Sequence, residues 1–280
     1  MAFPRPSSII GLGGLLLAAL PARADFLDEA ADAITSGFDI LIPEEFRVDD
    51  LEVKLGIGAG LAPDYHGADK HKFRVLPLID ANYRDIVRLT GSTLRVSFYQ
   101  TDNFRAGLLA NYRSGRDEDD SPDLAGMGNV GKSLEMGGFV QWRHNDLLLR
   151  GRIAADVASG HEGVVATAQA EHGIWRSEDE RIAVLAGVSA MWASGNYMRS
   201  FFGITPGQAQ AAGLPVFDAK SGFRDISGRV VSRWRLDEHW SLLGLVRYGR
   251  LLGDAASSPL VKQRGSANQV VTGLGLSFNF

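Results

Sequence analysis

Residues 268–280 read NQVVTGLGLSFNF, and this stretch decides the fold. Val270, Thr272, Leu274, Leu276, Phe278 and Phe280 fall on one side, and Gln269, Val271, Gly273, Gly275, Ser277 and Asn279 on the other. A period of two is the signature of a β-strand, here apolar on one face and small or polar on the other. Two settings take such a strand: the edge of a soluble sandwich, or the wall of a barrel whose outer face meets lipid. The rest of the chain separates them.

The alternation starts at Leu51. Leu51, Val53, Leu55, Ile57, Ala59 and Leu61 share a face opposite Glu52, Lys54 and glycines. It recurs with Phe104, Ala106, Leu108, Ala110 and Tyr112, with Leu134, Met136, Val140 and Trp142, and with Leu147, Leu149, Ile153, Ala155 and Val157. Ile182 to Trp192, Ile226 to Trp234 and Trp240 to Tyr248 continue it. The connections alternate in length. QTDN, RHND, RSEDE and LDEH are tight polar turns, whereas APDYHGADKHK, SGRDEDDSPDLAGMGNVGKS, ASGHEG, the 194–222 stretch and GDAASSPLVKQRGSA are longer. Short turns at one end and long loops at the other are expected of an outer-membrane barrel, with the short turns periplasmic and the long loops extracellular. Trp142, Trp175, Trp234 and Trp240 all lie beside short turns, as a membrane-interface girdle requires. Trp192, Tyr112 and Tyr248 sit at the opposite strand ends.

The reading is therefore all-β: a transmembrane antiparallel β-barrel. Eleven strand runs are clear, and a bacterial barrel of this kind has an even number. The parity fails near residues 73–99, and two readings restore it: FRVLPLIDANY, DIVRLTG and STLRVSFY form three strands rather than two, or residues 38–48 add one. That gives twelve strands, with ten as the alternative. The final strand must then pair with the first, and Phe278 and Phe280 resemble the C-terminal signal read by the barrel-assembly machinery.

The N-terminus, MAFPRPSSIIGLGGLLLAALPARADF, has the parts of a secretory signal peptide. Arg5 precedes an apolar run that Pro21 and Arg23 interrupt, short of the ~20 residues a membrane helix needs. Ala22-Arg23-Ala24 is an A-x-A cleavage site, so residues 1–24 are expected to be removed after Ala24. Losing Arg5 and Arg23 moves the formal charge from -4 to -6. Residues 25–50 are acidic and without sustained period, and read as a periplasmic segment ahead of a barrel at 51–280. No cysteine is present, which excludes disulfides and thiolate metal sites. Mild acidity argues against nucleic acid as a partner. Lipid and lipopolysaccharide are the expected surroundings, in the outer membrane of a Gram-negative cell.

Several strings are more specific than a generic barrel: GAGLAPDYHGAD, ANYRSGRDEDDSPDLAGMG, NYMRSFFGITPGQAQAAGLPVFDAKSGFRD and GRLLGDAASSPLVKQRGSANQ. Together, across roughly 51–280, they closely resemble the MipA/OmpV family of outer-membrane proteins. The resemblance implies an outer-membrane barrel. It also implies a scaffold that brings a lytic murein transglycosylase together with a murein synthase. Other members are linked to adhesion or to antibiotic response. It carries no catalytic residues and no cofactor.

The polar strand faces carry Arg95, Arg105, Arg150, Arg152, Arg229, Arg233 and Arg247, with Glu135, Asp156 and Glu171 on equivalent faces. Each arginine facing lipid near the midplane would cost roughly 2–4 kcal/mol, so these faces are expected to line the lumen. Arg105, Glu135, Arg150, Arg152, Asp156, Arg229, Arg233 and Arg247 then build either a salt-bridged polar filling or a narrow channel or small-molecule-binding barrel. The filled or narrow lumen is favoured, because small barrels are commonly packed with side chains and buried charges need partners. The alternatives to a scaffold are thus a narrow channel, a barrel that binds a small molecule such as an antibiotic, and an adhesin acting through its long loops.

Ser159-Gly160-His161-Glu162 is the best nucleophile–base candidate, but these are ordinary turn residues and need not converge. The chain is read as non-enzymatic. Asp117 to Asp120 have oxygen ligands suited to a divalent cation, but consecutive side chains diverge and a solvated loop is the plainer meaning. His66 and His71 share a loop without the three or four ligands of a zinc site. Thr205-Pro206-Gly207-Gln208 predicts a short helix in the longest loop, capped by Thr205 and stopped by Gly213.

Overall fold

The computed structural model describes residues 51–280, and there the alternating stretches become twelve antiparallel strands closed into one barrel. They are β1 (Leu51–Pro63), β2 (His71–Tyr83), β3 (Val87–Thr90), β4 (Thr93–Gln100), β5 (Phe104–Arg113) and β6 (Ser133–His144). β7 (Leu147–Asp156), β8 (Val164–Arg176), β9 (Ile182–Ala193), β10 (Gly222–Arg235), β11 (Trp240–Leu251) and β12 (Asn268–Asn279) complete it. Each strand pairs with its sequence neighbours, and β12 closes on β1 by matching Asn279–Thr272 to Lys54–Leu61. The expected signal peptide, its cleavage at Ala24 and the 25–50 segment lie outside the described residues.

Twelve strands rather than ten follow from the 73–99 stretch. Residues 87–90 and 93–100 fold back on each other as β3 and β4, with Gly91 at φ 55° taking the turn and donating its N–H to the Ile79 carbonyl. This turn is the exception to the loop asymmetry, being tight at the long-loop end. All the other tight turns, at 84–86, 101–103, 145–146, 177–181 and 236–239, lie at the opposite end.

Pairing fixes which face is which, because a side chain two residues away returns to the same side. Ile57, Leu61, Phe73, Leu108, Ile153, Val188 and Leu274 point outward and remain 49–67% exposed. A continuous exposed apolar wall is intolerable in water but is what a lipid-facing belt needs. Among the described residues no helix is long and apolar enough to cross a membrane; the crossing is made by strands. Trp142, Trp175, Trp234 and Trp240 are part-exposed at the short-turn end of that belt. There Trp240 meets Phe278 edge to face at 5.0 Å, and Phe278 meets Phe280 at 4.8 Å.

The inner face is not uniformly polar, and here the structure departs from the sequence reading. Leu78, Leu148, Leu185, Val231, Leu243 and Leu245 are turned inward and buried in one cluster. Glycines on β1 and β12 make room for it: a Cβ on Gly275 would lie 2.7 Å from Leu78 Cδ1. The filling is thus half aliphatic core and half polar network, rather than a salt-bridged core throughout.

Candidate functional site

The site is the lumen together with the loops that close it. Four helices stand on those loops: α1 (Gly195–Phe202), α2 (Pro206–Ala212), α3 (Gly253–Ser257) and α4 (Pro259–Arg264). The helix expected in the longest loop is α2. Thr205 Oγ1 accepts from the Gln208 N–H, Gln208 Oε1 accepts from the Thr205 N–H, and Gly213 ends the helix at φ 68°.

These loops form a packed cap. Tyr197, Met198, Phe201 and Phe202 of α1 are fully buried against the inner faces of the upper strands, among Leu109, Phe139 and Met191. Beside them Tyr65, Leu124, Met127, Ile204, Leu214 and Leu260 make a second cluster drawn from four different loops. Polar ties lock the loops to each other. Arg116 donates to the Phe201 carbonyl at 2.8 Å, Ser258 to the Phe202 carbonyl at 2.7 Å, and Arg264 to the Asp123 carbonyl at 2.9 Å. Burial pushes the Tyr65 hydroxyl, which reaches the Arg264 carbonyl at 3.2 Å, well above its ordinary range. At the rim Lys70 pairs with Asp123 at 2.7 Å, and that bond raises the lysine.

Beneath the cap, one carboxylate joins strand wall and loops. Glu135 of β6 is 1% exposed and accepts from Arg113 Nε at 2.8 Å, Asn111 Nδ2 at 2.9 Å and His161 Nε2 at 3.0 Å. The other His161 nitrogen, Nδ1, accepts from the Gly163 N–H at 3.0 Å. That pair of bonds fixes the tautomer with the proton on Nε2. Ser159, by contrast, is exposed at φ 61°. His161 is therefore a structural donor to Glu135, and Ser159 and His161 do not form a nucleophile–base pair. Asp156 shapes the same loop by accepting from the N–H groups of Ala158, His161 and Glu162 at 2.8–2.9 Å.

Lower down is a cavity of about 120 Å³ at mid-height in the barrel. Arg150, Arg152, Arg229 and Arg247 line it, as do Arg95 and Arg224. Leu109, Phe139 and Met191 form its ceiling, shared with the cap cluster. Of the eight residues expected to line the lumen, four meet at this cavity. Glu135 and Asp156 serve the loop end. Arg105 pairs with Asp85 at 3.3 Å near the short turns, and Arg233 is buried in the short-turn half. The Arg224–Asp225 pair escaped the sequence reading. A bulge between Phe223 and Asp225 shifts the register against β9, so both residues are buried, and no period-two count reveals that. Arg224 donates to Asp225 at 2.5 Å and to the Tyr197 hydroxyl at 2.7 Å, linking cavity to cap.

Asp117 to Asp120 form a 3-10 turn capped by Asp117, and no cluster of three metal-ligating side chains occurs among the described residues. The Glu118 carboxylate accepts the Gly126 and Gly128 N–H groups at 2.6 and 2.8 Å, so this acidic run folds the loop.

A family model, "MltA-interacting protein MipA", matches residues 55–280. No curated protein matches the chain. Among solved structures, the KdgM porin is similar at 10% identity and TM-score 0.41, covering 81% of this chain and 99% of its own. The NanC porin is similar at 11% identity and TM-score 0.44, covering 81% of this chain and 100% of its own. An outer membrane channel from Pseudomonas putida F1 is similar at 11% identity and TM-score 0.43, covering 85% of this chain and 99% of its own.

Proposed function

This chain belongs to the MltA-interacting protein MipA family, and from that premise we propose that it is a closed outer-membrane barrel that scaffolds murein-processing enzymes from its periplasmic side. The sealed long-loop mouth carries this reading. A conducting pore needs a continuous wet path, and the α1 side chains Tyr197, Met198, Phe201 and Phe202 fill the mouth with buried apolar packing. The aliphatic cluster around Leu185 and Leu243 occupies part of the lumen below. Such a barrel is suited to holding a position in the membrane rather than to passing solutes.

The partner class comes from the family name alone: a lytic murein transglycosylase, and with it a murein synthase. The short turns, of two to five residues, offer little surface. Residues 25–50, an acidic stretch of 26 residues directly ahead of β1, are the proposed contact. No catalytic role is assigned to the barrel, since the one nucleophile–base candidate is divided between an exposed Ser159 and a Glu135-bound His161.

Two measurements test this. Pull-down of the transglycosylase with the full mature protein is expected, and it should be lost when residues 25–50 are deleted; undiminished pull-down would place the contact elsewhere. In planar bilayers the intact barrel should give no single-channel steps, and regular steps would refute the closed-barrel reading.

A further inference from the structure

The mid-height cavity carries more charge than a structural filling needs. Six guanidinium groups line it, from Arg95, Arg150, Arg152, Arg224, Arg229 and Arg247, against one lining carboxylate, Asp225. Widening the view to the groups just behind the wall does not restore balance. Glu171 pairs with Arg229, Asp80 with Arg88 at 2.8 Å and Glu135 with Arg113 at 2.8 Å, so each added carboxylate arrives with an arginine already counted or with a new one. Among the described residues, eight guanidiniums then lie near four carboxylates, and like charges gathered where water is scarce favour an anion placed among them.

The geometry of the lining also suits a ligand. Arg152 Nε reaches the neutral Thr167 hydroxyl, at 3.5 Å, and Arg150 reaches the Gln141 amide oxygen, also at 3.5 Å. Thr93, Gln169, Ser189 and Ser227 add neutral donors around the same space. Guanidinium forks with hydroxyls between them are the usual recognition set for a phosphate or a carboxylate. The volume of about 120 Å³ accommodates one such group with a small substituent or a little water.

We infer that this cavity binds a small oxyanion, a phosphate or carboxylate group, on the Arg150–Arg152–Arg229 side of the lumen. Access is set by the cap, because Leu109, Phe139 and Met191 close the ceiling and are continuous with the packed loops. At the other end Arg105 pairs with Asp85 and Arg88 with Asp80, and the aliphatic cluster around Leu185 and Leu243 lies between that end and the cavity. The inference goes beyond scaffolding and does not depend on it.

The test is calorimetric titration of the full mature protein, in detergent at low ionic strength, with inorganic phosphate and separately with glucuronate. One saturable site per barrel is expected for at least one probe. Arg152→Gln should weaken it by ~10-fold or more, the scale of one charge-assisted hydrogen bond, while Arg181→Gln, in an exposed turn, should leave it unchanged. Phosphate binding alone assigns a phosphoryl ligand, glucuronate alone a carboxylate, and both a general oxyanion site. Arg152→Lys keeps the charge and covers the case in which the Gln variant does not assemble; it should bind with intermediate strength. Heat-modifiable gel migration verifies that each variant is folded. Absence of saturable binding for both probes, or binding equally strong in Arg152→Gln and Arg229→Gln, overturns the inference.

Discussion

Replacing Glu135 by Ala should destabilise the barrel and loosen its cap together. Glu135 and Asp146 make a controlled comparison. Arg113–Glu135 spans 2.8 Å with side chains 3% and 1% exposed, whereas Arg176–Asp146 spans 2.5 Å with side chains 39% and 46% exposed. Distance alone would rank the second pair higher. Burial reverses the order, because water screens the exposed pair and holding two mobile side chains together costs entropy. The exposed pair is worth at most about 1 kcal/mol. Removing one partner of a buried pair typically costs about 3–5 kcal/mol, since the remaining charge keeps its desolvation penalty. Glu135 also satisfies Asn111 and His161, but its neighbours can recruit lumen water. The lower end, about 3 kcal/mol, is therefore the expectation for Glu135→Ala, a shift of ~100-fold in the unfolding equilibrium. Denaturant titration in lipid vesicles, followed by tryptophan fluorescence, reads it against Asp146→Asn. The cap supplies a second readout. His161 belongs to loop 157–163 and Arg113 leads into loop 114–132, so the variant should expose residues 194–221 to added protease. Equal midpoints for Glu135→Ala and Asp146→Asn, with the cap still protected, would refute the assignment of Glu135 as the joint between wall and cap.

Three further outcomes follow from the geometry. Gly60→Val should prevent assembly, visible as loss of heat-modifiable migration, because a Cβ there would overlap the Thr272 carbonyl oxygen of the closing strand; normal assembly would contradict the β1–β12 register. Thr205→Ala removes the hydroxyl half of the α2 capping box, leaving the Thr205 N–H to Gln208 Oε1 bond, and should cost about 1 kcal/mol, confined to faster amide exchange in the longest loop. Asp237 accepts the N–H groups of Trp240 and His239, which hold its carboxyl below the ordinary value. A depressed folded value contributes stability above the unfolded value, near 3.9, and loses it as pH falls through the folded one. Amide protection in the 236–239 turn, relative to the intrinsic exchange rate at each pH, should then stay flat from pH 7 to 5 and fall only in stronger acid, a fall that Asp237→Asn should abolish.

The strand pattern was legible because lipid imposes a simple rule: every second residue must be apolar whatever its sequence neighbours are. The alternation over 51–61 and 268–280 and the tight turns beside Trp142 and Trp234 express that rule, whereas the hairpin at 87–100 was one of two ways to make the strand count even, the other being a strand at 38–48. The inward apolar residues did not stand out. In Leu147-Leu148-Leu149 the outer two face lipid and the middle one packs in the lumen, so three identical letters carry two meanings. The Thr205–Gly213 helix was readable because its caps are local. Glu135 and its donors were not, because they join positions 22 to 26 residues apart through a fold that has to exist first. The Arg224 bulge inverts the parity on which the reading depends.

The arginines gain a sharper meaning from the same observations. Had the lumen been polar all round, six guanidiniums at one level could be explained as the inner wall of a water-filled channel. The aliphatic cluster and the sealed mouth remove that explanation, since neither suits a continuous path for ions. Charge held in a closed compartment favours an anion beside it, and the cavity lining sets six guanidiniums around one carboxylate, Asp225. Closing the barrel against conduction and binding an anion inside it are thus linked. The packing that makes the barrel a rigid wall closes the cavity toward the long loops and narrows it toward the short turns, so an anion bound there is held in a compartment rather than passed along a channel.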